Sequence, residues 1–164
     1  MYEAGLCYSK LKNREKAVEY FRRFVYTLPI YELFPYGVYH LLDLEIAGGD
    51  AAKALEDYEA LRPVRLEDSS GVLHKDYARV LEALYKASGG DKPDILRDLT
   101  AELDAFGARY PGSAAAPDIA LLNGKLIYTY LDKTEGARIL NEIRRRYRGE
   151  KNITGEVDKI LHGG

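Results

Sequence analysis

Apolar positions recur at helical intervals along this chain. Ala17, Phe21, Phe24 and Val25 stand at i, i+4, i+7 and i+8, the stripe of an amphipathic helix facing a core. The spacing predicts a helix from Met1 to Leu11, a tight turn at Lys12-Asn13, and a second helix from Arg14 to Leu28 ended by Pro29. The crowded segment from Ile30 to Pro35 reads as a short turn of helix closing over this pair, and Pro35 suits the start of a third helix.

The third helix is expected over Tyr36–Ala47, stopped by Gly48-Gly49, and Asp50 is placed to cap a fourth over Ala51–Leu61. Ala54, Tyr58 and Leu61 repeat the stripe of the second helix, although Leu42 stands where a small residue is wanted and Pro63 comes early. Val64 to Gly71 reads as a loop. A fifth helix returns over Leu73–Ala87 with Tyr77, Val80, Leu81, Leu84 and Tyr85. After the turn at 88–93, a sixth over Asp94–Arg109 sets Leu99, Leu103, Phe106 and Pro111 at the intervals of Ala17, Phe21, Phe24 and Pro29. Ser113 is the candidate cap of a seventh helix that begins near Pro117 and Asp118. An eighth carries Leu140, Ile143 and Tyr147, then a polar turn at 149–152, then a short terminal helix over Thr154–Leu161.

Helix pairs in this rhythm point to a repeat architecture. The order Ala4-Gly5, Tyr8, Ala17, Phe21 and Pro29 resembles the tetratricopeptide repeat, whose signature is W-x2-L-G-x2-Y, A-x3-F and P, with Met1 in the Trp slot. Gly5 and Ala17 are small where two antiparallel helices must approach, and Gly124 and Gly136 stand the same distance apart. The resemblance implies an all-α right-handed α-solenoid of about four antiparallel pairs (1–29, 36–63, 73–111, 114–148). A terminal helix, at 154–162, would cover the last open face, and all 164 residues would form one domain. The phrase from Tyr110 to Ala115 is also similar to joints between repeats in bacterial cell-envelope members of the family. Met1 already sits inside the first helix pattern, which suggests a piece of a longer protein, such as the helical accessory domain of an enzyme, transporter or envelope assembly.

Composition narrows the chemistry. Hydrophobic residues at 46% and charged ones at 30% are ordinary for a globular chain, and the net charge of -2 supplies no field to hold nucleic acid or an acidic membrane. Cys7 stands alone, reads as a small buried residue, and leaves the redox compartment open between envelope and cytoplasm. No apolar run approaches the roughly 20 residues of a membrane span, and no leader of the secretory kind opens the chain. Phosphate-loop, HExxH and GxSxG patterns are absent from the sequence. His40, His74 and His162 read as polar surface or helix-end residues, and Glu56/Asp57 and Asp98/Glu102 as solvated helix faces. No catalytic residue, metal ligand or cofactor is expected.

The remaining function is partner binding. In the family resembled here, the first helix of each pair lines the concave face. Counting round those helices places Tyr2, Leu6, Ser9, Tyr39, Asp43, Ala78, Glu82, Tyr85, Leu121, Lys125 and Tyr128 inward, where they would meet a peptide or protein partner. Tyrosine gives contact area at low entropy cost, and the chain holds fourteen of them, although each could instead pack between repeats. Members that bind chaperone tails carry a lysine and asparagine clamp that Tyr2 and Leu6 do not supply. The run from Arg144 to Arg148 suits the negative end of the eighth helix. Its Arg144, Arg145 and Arg148 are the candidate contacts for a polyanion or nucleic acid, the less favoured partner.

Overall fold

The computed structural model describes residues 1–29, 31–62 and 64–163. Ile30 and Pro63, and with them the expected early end of the second pair, lie outside the described residues, as does Gly164. Among the described residues every regular element is helical: α1 Tyr2–Lys10, α2 Arg14–Thr27, α3 Phe34–Ala47, α4 Ala51–Leu61, α5 Val72–Ala87, α6 Pro93–Arg109, α7 Ala116–Leu126, α8 Lys133–Arg146 and α9 Lys151–His162. A π-helical turn, Ile127–Leu131, extends α7. Consecutive helices pack on one another, α1 on α2 and α2 on α3, then α6 on α7 and α7 on α8. With turns this short such neighbours run antiparallel, the packing of a helical repeat.

Local chemistry sets the ends. Asn13, Asp50 and Asp132 accept from the backbone N–H three residues on, at 3.2, 3.3 and 2.9 Å, satisfying orphan donors of α2, α4 and α8. Gly49, Gly89 and Gly90 take positive φ beyond α3 and α5, a conformation open to glycine without strain. Ser113 behaves differently from the expected cap. Its hydroxyl accepts from Ala115 N and donates to Ser69 O, bracing the turn, while α7 starts at Ala116 without a side-chain cap. The terminal helix also starts earlier than expected, taking in Lys151 and Asn152.

The chain divides into two compact units, residues 1–66 with 79–92, and residues 67–78 with 93–164, so α5 contributes to both. In the first unit Ala17, Phe21, Phe24, Val25, Val38, Leu41, Leu42 and Ala54 are buried. Gly5 lies against the Phe21 ring, where an added Cβ would meet Cε1 at 2.8 Å. The small residue missed on α3 is Gly37, seated against Phe24 and Val25, which leaves Leu42 free to fill the core. In the second unit Leu140, Ile143, Ile153 and Val157 form a cluster that Ala120, Leu121, Tyr128 and Tyr147 pack against, and α9 covers α7 and α8. The loop before α5 is ordered by Asp68, which accepts from Ser70 N at 2.9 Å and Leu73 N at 2.8 Å.

Candidate functional site

In the first unit the first-helix residues meet in a row. Tyr2 of α1 is half-buried, with its ring 5.7 Å from Phe21, 5.4 Å from Phe24 and 6.0 Å from His40 of α3. His40 stacks on Phe21 at 4.9 Å, so it is a packing residue rather than the polar surface group expected, and it also touches Tyr39. Arg79 of α5 then reaches across to α3. Its guanidinium donates to Asp43 Oδ1 at 2.9 Å and to the Tyr39 hydroxyl at 2.8 Å, and it lies over the Tyr39 ring. Glu82, one turn on, accepts from Lys86, and Tyr85 is half-buried on the same face of α5. Leu6 and Ser9 are likewise half-buried on α1. The result is an aromatic strip with a fixed, exposed ion pair, which offers apolar area, hydroxyls and both signs of charge to a ligand.

Two expectations for α1 and α5 are corrected. Ala78 is 1% exposed and belongs to the core, because it shares the face of Leu81. Cys7 is exposed: two residues from Gly5, it points about 200° round the helix from the packed side.

Behind the strip lies a network centred on Asp57, a residue expected on a solvated helix face. Asp57 of α4 is 1% exposed and Glu45 of α3 is 2% exposed. Arg22 of α2 binds both, donating to Asp57 Oδ2 at 3.2 and 3.1 Å and pairing with Glu45, while the Tyr26 hydroxyl donates to Asp57 Oδ1 at 2.8 Å. Burial, reinforced by the hydrogen bond and charge of Asp57 and opposed by Arg22, pushes the Glu45 carboxyl up to about 8. Burial and the bond to Asp57 push Tyr26 up to about 12. Burial of Asp57 was readable in outline, since it stands three residues after the core Ala54; its partners, 35 and 31 residues away, were not.

In the second unit α7 turns two different faces to its surroundings. Leu121 and Tyr128 pack against the Leu140 cluster and Lys125 is exposed. On the opposite side Ile119, Asn123 and Ile127 line a groove of about 730 Å³ between α6 and α8. A smaller notch of about 510 Å³ brings together Tyr128, Lys133, Asn141, Arg144 and His162, with Lys133 Nζ 5.4 Å above the Tyr128 ring. Two residues assigned to separate sites, Tyr128 and Arg144, therefore share one surface.

The basic run does not act as one patch. Arg144 donates to Asp158 and to Asn141 Oδ1, both at 2.9 Å, Arg145 to the Asn141 carbonyl at 3.3 Å, Arg146 lies over Tyr147, and Arg148 is exposed. His74 and Glu102 also depart from expectation. His74 is fully buried against Phe106, with Nε2 3.6 Å from Glu102 Oε1, and Glu102 holds Arg109 through two bonds of 2.7 and 3.2 Å. His74 shares a helix face with the core residues Tyr77, Ala78 and Leu81, a signal present in the sequence. No cluster of three or more histidine, cysteine, aspartate or glutamate side chains suited to a metal ion occurs among the described residues, and none of their helices is long and apolar enough to cross a membrane.

No curated protein and no solved structure matches the chain. Residues 1–29 match the sequence model of the tetratricopeptide repeat. That stretch is α1, α2 and the proline after them, so the first helix pair, in which Gly5 meets Phe21, is similar to a tetratricopeptide repeat, a unit that in general is a protein–protein interaction scaffold and typically non-catalytic.

Proposed function

We propose that the chain is a non-catalytic scaffold that holds a peptide or loop of another protein on the exposed faces of its first helices. The observation that carries this reading is Arg79, which joins Tyr39 and Asp43 of a neighbouring first helix into one exposed surface. Aromatic rings held by neighbours lose little entropy on binding, and an arginine beside them supplies directional donors. Tyr2, Leu6, Tyr39, Asp43, Glu82 and Tyr85 are the contact residues in the first unit; Leu121, Lys125 and Tyr128 are the corresponding first-helix positions in the second.

The test is a pull-down with wild-type and variant chains beside thermal melts. Tyr39→Ala and Tyr85→Ala should each weaken partner capture by about 1–3 kcal/mol, the loss of an aromatic anchor, with helix content unchanged. Changing Arg145 and Arg148 together to glutamine should leave capture intact; Arg144, which shares a notch with Tyr128, is kept. Capture lost with the arginines and untouched by the tyrosine changes would overturn the reading.

A further inference from the structure

We propose that Glu45 and Asp57 share one proton, and that this carboxyl–carboxylate bond is a switch that locks α3 to α4 at neutral pH and releases them in alkali. The switch lies behind the first-helix surface, in the network of Arg22 and Tyr26, and stands whether or not that surface holds a partner.

The allocation of donors places the proton. Asp57 receives Arg22 Nε and Nη2 on Oδ2 at 3.2 and 3.1 Å and the Tyr26 hydroxyl on Oδ1 at 2.8 Å, with Lys53 Nζ 3.8 Å from the same Oδ1. A carboxylate so bonded is held as an anion even when buried. Glu45 receives far less. Arg22 Nη2 serves its Oε1, while Oε2 is buried with no donor reaching it. As a carboxylate, Glu45 would leave a bare charged oxygen out of water, a costly arrangement in a protein interior. As an acid it turns that oxygen into a donor, and the acceptor at hand is Asp57, to which its side chain hydrogen-bonds.

The charges agree. Arg22 is one guanidinium between two carboxyl groups, and Lys53, at the rim, is already paired with Glu56 at 2.7 Å. With the proton in place the Arg22, Glu45 and Asp57 set is neutral; without it one negative charge is in excess. Burial, then the bond and charge of Asp57, hold the Glu45 proton up to about 8 against the pull of Arg22. The folded value is raised, so the lock is whole on the acid side of this point and fails as pH climbs through it. Hydroxide then takes the proton, and two carboxylates face each other across one guanidinium. Because α3 packs on α4 and carries Glu45 against Asp57, the repulsion falls on that helix contact.

Carbon-13 NMR of the full chain, with glutamate side chains labelled, tests the proton directly. The Glu45 carboxyl, assigned through its own backbone, should keep the shift of a protonated acid at pH 6.5, where an ordinary glutamate is ionised, and cross to the carboxylate shift near pH 8. In Asp57→Asn, with the like charge gone, it should titrate at lower pH, an effect that burial of Glu45 alone does not produce. Hydrogen exchange tests the lock. Protection of the α4 amides, corrected for intrinsic rates, should fall about tenfold between pH 7 and 9, the loss expected for one group titrating near 8, while α9, in the other unit, keeps its protection. Glu45→Gln retains a donor for Asp57 that alkali cannot remove, so its α4 amides should stay protected at pH 9. A Glu45 carboxyl already ionised at pH 6.5, or one that titrates unchanged in Asp57→Asn, would overturn the shared proton. Protection of α4 that is the same at pH 7 and 9, or that falls equally in Glu45→Gln, would remove the switch. Should Glu45→Gln melt early, the wild-type titration and exchange, with Asp57→Asn, decide the matter.

Discussion

Gly124 and Gly136 both lie where α7 meets α8, yet a methyl group should affect them unequally. A Cβ on Gly124 would meet Leu140 Cδ2 at 3.0 Å, the far end of a side chain that can turn aside. On Gly136 it would run into the backbone N and Cα of Tyr128, which cannot move without displacing the π turn. Gly136→Ala should therefore cost about 1–3 kcal/mol, as overpacking does, while Gly124→Ala should stay near neutral; paired thermal melts check the contrast. Glu45 calls for a different experiment. Its folded-state value of about 8 lies above its ordinary 4.5, so between these limits the folded chain keeps a proton that the unfolded chain releases. Stability tied to this group is greatest at the acidic end and falls as pH rises through the window. Glu45→Gln, neutral throughout, should flatten that slope in melting temperatures taken from pH 5 to 8.5, and an unchanged slope would remove Glu45 as its source.

At the scale of elements, two aspartates hold helix starts in unequal ways. Asp132 makes one capping bond at the start of α8, and Asp132→Ala should cost about 1 kcal/mol, the usual loss for such a cap. Asp68 accepts from both donors of Ser70 and from Leu73 N, so it orders the loop as well as the start of α5. Burial works against its charge, but these bonds win and hold its carboxyl below the usual range. Asp68→Ala should exceed the Asp132 change in cost and raise hydrogen exchange at Leu73, whereas Asp68→Asn should recover part of it. The π turn after α7 belongs to this scale too. One extra residue in a turn rotates the side chains beyond it by about 100°, so counting on from Leu121 and Lys125 does not locate Tyr128 by periodicity alone.

For the whole molecule, charge is balanced and the arginines at 144–148 are dispersed over a helix face, a notch and a groove rim. The chain should therefore pass through a heparin column at physiological salt, because weak, scattered cations release few counterions. Retention that falls steeply with salt would move the polyanion reading ahead of the first-helix one. Circular dichroism should show a helical spectrum without strand, in keeping with the absence of any strand among the described residues.

Helix existence, most boundaries and the buried stripes were legible in the chain, because the apolar period and the end signals of α2, α4 and α8 act over three to eight residues. Phe21 and Phe24 of α2, Leu99, Leu103 and Phe106 of α6, and the caps Asn13 and Asp50 all express such local rules. Tertiary structure decided what depends on separations of 20 residues or more. Arg22 finds Glu45 and Asp57 only when three helices stack, Arg79 finds Tyr39 and Asp43 across two repeats, and Asn123 becomes an orphan because nothing on α6 or α8 reaches it. A helical period tells which side of a helix is buried; it does not tell which charge, ring or empty groove the opposing helix brings to that side.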